Sequence, residues 1–242
     1  MHLLKFLKLR ELSDINERTY SNNAIRRIGI LDSVVQSDGC LIEYKEKGRK
    51  KPRHDVSLIV SEKSLPMLLK FRELSRELFK RNSKIWKLSK GNYWGMHIRV
   101  NNLLRIFEDA DINFGDPPIP SHWIMKNDGF FGAYLAGVID GDGNADIKRP
   151  KYPQLLIRIT SGKSQTFLAK AIKQKLNCSV NIYHRVADKI LRNQKIHGEW
   201  FELHFLVSSK NYKFVKRYVL PHVEISHKKD LLEGFFMERF GA

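Results

Sequence analysis

The sequence predicts an α+β chain built of two similar halves, each ordered helix, strand, strand, helix, strand, strand, helix. Three observations carry this. The stretch GILDSVVQSDGCLI at Gly29–Ile42 lies over AYLAGVIDGDGNAD at Ala133–Asp146 with an offset of 104 residues, which places Leu31 on Leu135, Val34 on Val138, Asp38 on Asp142 and Gly39 on Gly143. The same alternation of strand-like and helix-like runs then recurs downstream of each copy. Between the copies, Pro117, Pro118 and Pro120 interrupt helical sequence and read as a linker.

The elements follow in order. Residues 1–20 alternate apolar and charged side chains and read as an amphipathic helical extension; Glu11, Asp14 and Glu17 argue against a mitochondrial presequence. The first half spans 21–113. After its repeated helix come strands carrying Tyr44, Lys45 and Lys47 and then VSLIV at Val56–Val60. The turn SEKS leads into an amphipathic helix over Leu65–Lys80. Strands over Lys84–Leu88 and Tyr93–Val100 and a helix over Asn101–Asp111 complete it. The linker spans 114–128 and the second half 129–242. The second half repeats the order with LLIRIT at Leu155–Thr160, SGKS, a helix over Gln165–Leu176 and strands over Ser179–Val186 and Trp200–Val207. Helices over Tyr212–Val219 and Lys228–Arg239 close it.

The chain has 242 residues, enough to bury a substantial core, with 43 Lys and Arg against 26 Asp and Glu. A net charge of +17 points to a polyanionic partner, nucleic acid above all. The excess divides evenly: 24 basic and 16 acidic residues in 1–128, 19 and 10 in 129–242, so a basic tail on a neutral protein is excluded. Two cysteines, Cys40 and Cys178, make no disulfide framework, so a reducing, intracellular setting is expected, cytoplasmic or nucleoid with an organellar one left open. The longest apolar run, Phe130–Ile139, is too short to span a bilayer, and no membrane partner is expected.

The repeated helices share a stripe of small residues. Gly29, Ser33 and Ser37 are four apart in one, Ala133, Gly137 and Gly141 in the other, so each set stacks on one helix face. Such faces let two helix backbones approach closely, here as the interface between halves. Each helix ends in Asp-Gly, at Asp38-Gly39 and Asp142-Gly143. If the helices run side by side, the carboxylates converge, an arrangement that needs a cation, and hard oxygen donors suit Mg²⁺. Taken singly, either aspartate would be no more than the residue before a capping glycine.

LAGVIDGDG at Leu135–Gly143 resembles the LAGLIDADG motif of the homing endonucleases, and LDSVVQSDG at Leu31–Gly39 resembles a degenerate first copy. The resemblance covers the chain from about Ile25. It implies a monomer of two αββαββα halves, each with a four-stranded antiparallel sheet, forming a saddle over double-stranded DNA with the motif helices as a two-helix interface. It implies that Asp38 and Asp142 bind Mg²⁺ together with the carbonyls of Ser37 and Gly141, and that the protein cuts both strands at a specific site. The first copy departs at Gln36, where the family often has Asp, and at Asp32. In the family a Gln-Lys or similar pair follows the second strand; Lys63 and Lys163 occupy that place, with Glu62 where Gln is expected. Both lysines also read as surface residues at a helix start.

Strand alternation separates buried Leu155, Ile157 and Ile159 from outward Gln154, Arg158 and Thr160, with Leu156 among them. Gln154 and Arg158 are candidates for major-groove base reading, Tyr44, Lys45, Lys47 and Lys148 for DNA contact. The scaffold leaves two other functions open, an intron RNA maturase and a nuclease-dead DNA-binding protein. Other motifs fail. An EF-hand beginning at Asp140 lacks its glycine at Ala145 and its closing glutamate at Lys151. A P-loop ending Gly162-Lys163-Ser164 lacks its leading glycine at Ile157. No Cys/His set has zinc spacing, and the chain lacks the terminal residues of an intein.

Overall fold

The computed structural model describes residues 30, 33–45, 47–48, 52–89, 91–99, 105, 107–108, 111–112, 117–148, 152–191 and 194–241, backbone only at 189–191 and 194–196. The expected N-terminal helix and Gly29 lie outside the described residues, as does most of the expected helix over Asn101–Asp111.

The first repeated helix, α1, is described at 30 and 33–37. It turns directly into β1 (Gly39–Tyr44) and β2 (Arg53–Ser61), a 3₁₀ turn (Glu62–Ser64), α2 (Leu65–Phe79), β3 (Ile85–Lys87) and β4 (Tyr93–Arg99). After the prolines comes a short helix, α3 (His122–Met125), inside the expected linker. The second half holds α4 (Asp128–Gly141), β5 (Gly143–Lys148), β6 (Gln154–Ser161), α5 (Thr166–Leu176), β7 (Val180–Leu191) and β8 (Gln194–Val207). A helical turn, α6 (Tyr212–Phe214), continues through a π turn (Val215–Val219) and a 3₁₀ turn (Leu220–His222) before α7 (Ser226–Phe240).

The strands form two antiparallel four-stranded sheets of identical topology, β1-β2-β4-β3 and β5-β6-β8-β7. Each is covered on one face by its amphipathic helix: α2 buries Met67, Leu68, Phe71 and Leu74, and α5 buries Leu168, Ala171, Ile172 and Leu176. Under those helices lie Val56, Leu58 and Val60 of β2 and Leu155, Ile157 and Ile159 of β6, every second residue of their strands. Pro66 starts α2, where its missing N–H removes no helical bond. The two helices end alike, at Lys80 (φ 55°) and Asn177 (φ 48°), both left-handed.

A single hydrophobic cluster runs from Ile30 to Phe236 through both halves. Its centre is α4. Phe131, Ala133 to Ala136, Val138 and Ile139 are all wholly inaccessible, so this helix is apolar on every side. Asn127 begins it, accepting from the N–H groups of Gly129 (2.8 Å) and Phe130 (3.2 Å).

Candidate metal centre and nucleic-acid interface

The small-residue stripes do meet. A side-chain carbon at Gly137 would collide with Ser33 Oγ, and one at Gly141 with Ser37 Oγ and, at 2.5 Å, with Asp38 Oδ2. α1 and α4 are therefore in contact along Ser33/Gly137 and Ser37/Gly141, the pairing that the four-residue spacing predicts. Ser33 is buried and spends its hydroxyl on Ile30 O (2.9 Å). Ala133 is fully buried on the same stripe. The glycine after each aspartate turns the chain tightly into a strand: at Gly39 a Cβ would sit 2.5 Å from Val35 O, and at Gly143 2.5 Å from Ile139 Cα.

Asp38 thus lies against the residue preceding Asp142, at the C-terminal ends of two touching helices. That is the negative end of both helix dipoles, and it adds to the demand for positive charge. Burial pushes the Asp38 carboxyl above the ordinary carboxylate range; a hydrogen bond from Ser37 Oγ (3.2 Å) and the charge of Lys228 oppose the shift. Asp142 is fixed through its backbone, its N–H donating to Val138 O (3.0 Å) and its carbonyl accepting from Thr160 N–H (3.0 Å).

Lys228 carries no sequence pattern that sets it apart as a site residue. It is buried, and its Nζ donates to the carbonyls of Ile139 and Asp140, both at 2.7 Å, at the last turn of α4. Burial lowers its pKa, while Asp140, Asp38 and Asp142, in that order, hold it charged. Next to it, the buried Asp140 carboxylate accepts from Glu224 N–H (2.7 Å) and Ile225 N–H (3.2 Å). Burial pushes the pKa of Asp140 up to about 6, against these two bonds and the Lys228 charge. In the first half Gln36 holds the matching place. Its Nε2 donates to Ile119 O (3.1 Å), and its Oε1 accepts from Ile119 N–H (2.8 Å) and from Tyr134 Oη (2.7 Å), which crosses from the other half. The departure at Gln36 is thus a complete hydrogen-bonding solution with no charge. A short Ser-His repeat, Ser121-His122 and Ser226-His227, 105 residues apart, marks the matching places of Ile119 and Glu224 but not Lys228, which falls on Trp123.

The open face of each sheet carries charged rows. On the first, Asp55 is fully buried between Arg53 (3.3 Å) and Arg99 (3.0 Å), and the Arg53 guanidinium lies 4.8 Å from the Tyr44 ring. On the second, Asp146 pairs with Arg158 (3.4 Å) and with Lys148. Asn144, Arg158, His204 and Asn181 form one row across four strands, with Gln154 opposite Lys148. Glu202 accepts from Trp200 Nε1 (3.1 Å) and Arg185 Nε (3.2 Å) and pairs with His204 (3.0 Å); these bonds hold its carboxyl below the usual range. Lys45 and Lys47 lie just beyond β1, both exposed. Lys63 and Lys163 sit at the starts of α2 and α5, both exposed, and neither ammonium forms an ion pair among the described residues. The Lys163 backbone is held in a turn by Ser161 Oγ, which accepts from its N–H (3.2 Å) and donates to its carbonyl (3.0 Å).

Among the described residues, no group of three or more His, Cys, Asp or Glu could hold a metal. A cation here would have two carboxylates and main-chain carbonyls as protein donors. Such a sparse set fits Mg²⁺, which keeps several waters and completes its shell with substrate phosphate.

No family model matches the sequence, and no curated protein matches it. Solved structures do. The LAGLIDADG homing endonuclease I-LtrWI bound to target DNA is 14% identical, with 90% of this chain and 92% of that one covered and a TM-score of 0.53. Mesophilic variants of the homing endonuclease I-DmoI are 16% identical, with 82% and 98% covered and a TM-score of 0.52. The meganuclease I-SmaMI, bound to uncleavable DNA, is 14% identical, with 90% and 92% covered and a TM-score of 0.52. The chain has the two-half fold of the LAGLIDADG homing endonucleases.

Proposed function

We propose that this protein is a site-specific, divalent-metal-dependent DNA endonuclease that acts as a monomer and hydrolyses one phosphodiester on each strand. The observation that carries the reading is the Asp38 carboxylate pressed against Gly141, next to Asp142, where two duplicated helices meet. I-DmoI, of the same fold, has been solved with target DNA in the presence of Mg²⁺, and with DNA and Ca.

In this reading Asp38 and Asp142 hold the metal, with the Ser37 and Gly141 carbonyls as further donors. When bound, Mg²⁺ lowers the pKa of attacking water and stabilises charge on the attacking and leaving oxygens. Lys228 favours the ionised form of Asp38 against the effect of burial and ties down the end of α4, next to Asp142. Lys63 and Lys163 approach the phosphate from the helix starts. Tyr44, Lys45, Lys47 and Lys148 meet the backbone, while Gln154 and Arg158 read base edges from the open sheet face.

The test is incubation of purified protein and Mg²⁺ with a random duplex pool, selecting cut molecules. Specific double-strand breaks are expected. Asp142→Asn abolishes cleavage while binding to the selected duplex persists. Equal loss of binding, or undiminished cutting, overturns the assignment. A protein that cuts no duplex and instead binds RNA tightly is a maturase.

A further inference from the structure

The outer face of α2 is concave. Met67, Leu68, Phe71 and Leu74 of this helix are buried over the first sheet. Its opposite side, with Leu69, Arg72, Glu73 and Arg76, lines a cavity of about 700 Å³. The cavity is completed by Asn82, just past the left-handed end of the helix, and by Glu224 from the second half. The sheet lies between this cavity and the open face with its charged rows. A volume of this order is that of a small-molecule site.

The charges within it are unevenly used. Lys70 is held by Glu73 (3.1 Å) and approaches Glu224 (4.0 Å), so both acids are drawn to one ammonium. Arg72 and Arg76 form no ion pair among the described residues. They are one helical turn apart, about 6 Å along the axis. A guanidinium is a planar fork that grips a phosphate through two parallel hydrogen bonds. Two forks at this spacing suit two linked phosphates better than a single carboxylate. Asn82 adds an amide donor at the rim. Among the described residues no aromatic ring lines the cavity, so nothing there stacks on a base. What it can recognise is the phosphates themselves.

We propose that this cavity binds the polyphosphate group of a small anion, on the side of the molecule away from the open sheet faces. Arg72 and Arg76 grip the phosphates and Asn82 donates at the edge. Glu224 opposes binding, because its carboxylate faces the incoming charge. The site goes beyond the nuclease reading and does not depend on it.

The experiment is calorimetric titration of the full chain with inorganic pyrophosphate, without divalent metal and at physiological salt. It is run on the protein alone and on its complex with a duplex recovered by the cleavage selection. The duplex occupies the cationic open faces, so pyrophosphate taken up by the complex reports a site elsewhere. One equivalent is expected to bind the complex. The double variant Arg72→Ala, Arg76→Ala weakens this binding about tenfold or more, as for lost charge-assisted bonds. Lys170→Ala with Lys173→Ala removes the same charge from the exposed side of α5, the counterpart helix, and leaves the affinity within about twofold. Glu224→Gln keeps the backbone bond to Asp140 and strengthens binding about two- to threefold, a gain that a merely structural role would not give. All these side chains are exposed or half-buried, so the core is untouched. No uptake by the complex, or equal losses in the two double variants, overturns the site. So does a cavity that refuses pyrophosphate and takes a single-stranded RNA oligonucleotide through the same arginines. A protein that binds pyrophosphate through Arg72 and Arg76 but binds no duplex supports the site and removes the nuclease reading.

Discussion

At Gly137, one missing carbon decides whether two halves can join. The position faces Ser33 Oγ across the helix interface, and both residues are buried in a single continuous core. Gly137→Val is expected to destabilise the protein by about 3 kcal/mol or more, because neither backbone can retreat. Ser33→Gly removes the obstructing hydroxyl and should recover part of that loss in the double variant. Urea denaturation of the four proteins in the cycle measures it, and additive effects would mean that the two residues do not touch. Asp140 poses a different residue-scale problem, since its buried carboxyl titrates near 6 rather than at its ordinary 3.8. Between those values the folded chain binds more protons than the unfolded one, so stability falls as pH rises through that window, by at most about 3 kcal/mol. Asp140→Asn should lack this decline. Read as the difference between variant and wild type, the measurement cancels carboxyls such as Glu202, whose depressed pKa acts at lower pH and in the opposite sense. A difference that stays constant from pH 4 to 7 would remove the titration from Asp140.

At the scale of elements, α7 reaches under the motif helices to deliver Lys228, and its loss should be felt in two ways. Lys228→Met strips two carbonyls at the end of α4 of their donor and should cost about 2–3 kcal/mol, typical of charge-assisted bonds. It also removes a cation that lowers the Asp38 pKa, so the acidic limb of the cleavage pH profile should move to higher pH. A lower melting temperature with an unmoved profile would leave Lys228 a structural role only. Such a residue is hard to see in sequence. The repeated helices were legible because small residues every four positions and a terminal Asp-Gly are local patterns. Likewise α2 and α5 follow from their amphipathic period, and Leu155, Ile157 and Ile159 from strand alternation. Lys228 carries no such mark, since a lysine in a helix start reads as surface, and only the contact with α4 distinguishes it. The strands β7 and β8 run past the expected ends at Val186 and Trp200 for a related reason. Residues 187–199 hold charged residues, Asn and Gly without apolar alternation, and there β7 and β8 pair only with each other. The π turn at Val215–Val219 has a period that a helical 3.6-residue pattern does not register.

For the whole molecule, the question is where a charge of +17 acts. On the open sheet faces many cations are already held by carboxylates: Arg53 and Arg99 by Asp55, Arg158 and Lys148 by Asp146, Arg185 by Glu202. These pairs fix the direction of long side chains before DNA arrives, which lowers the entropy lost when they bind. Lys47, exposed in the turn beyond β1, has no such partner among the described residues, so it is read as contributing charge without a fixed geometry. Two substitutions should therefore separate. Lys47→Ala weakens binding to all duplexes alike and lowers the slope of log affinity against log salt by about 1, as expected for one lost phosphate contact. Arg158→Ala instead relaxes base preference at one position, costing about 1–3 kcal/mol against the preferred base and little against the others. Binding titrations over a salt series, on the selected duplex and its single-base variants, distinguish them. If Arg158→Ala lowers affinity uniformly across those variants, the row through Asn144, His204 and Asn181 holds phosphate, and base reading must come from elsewhere on the sheet.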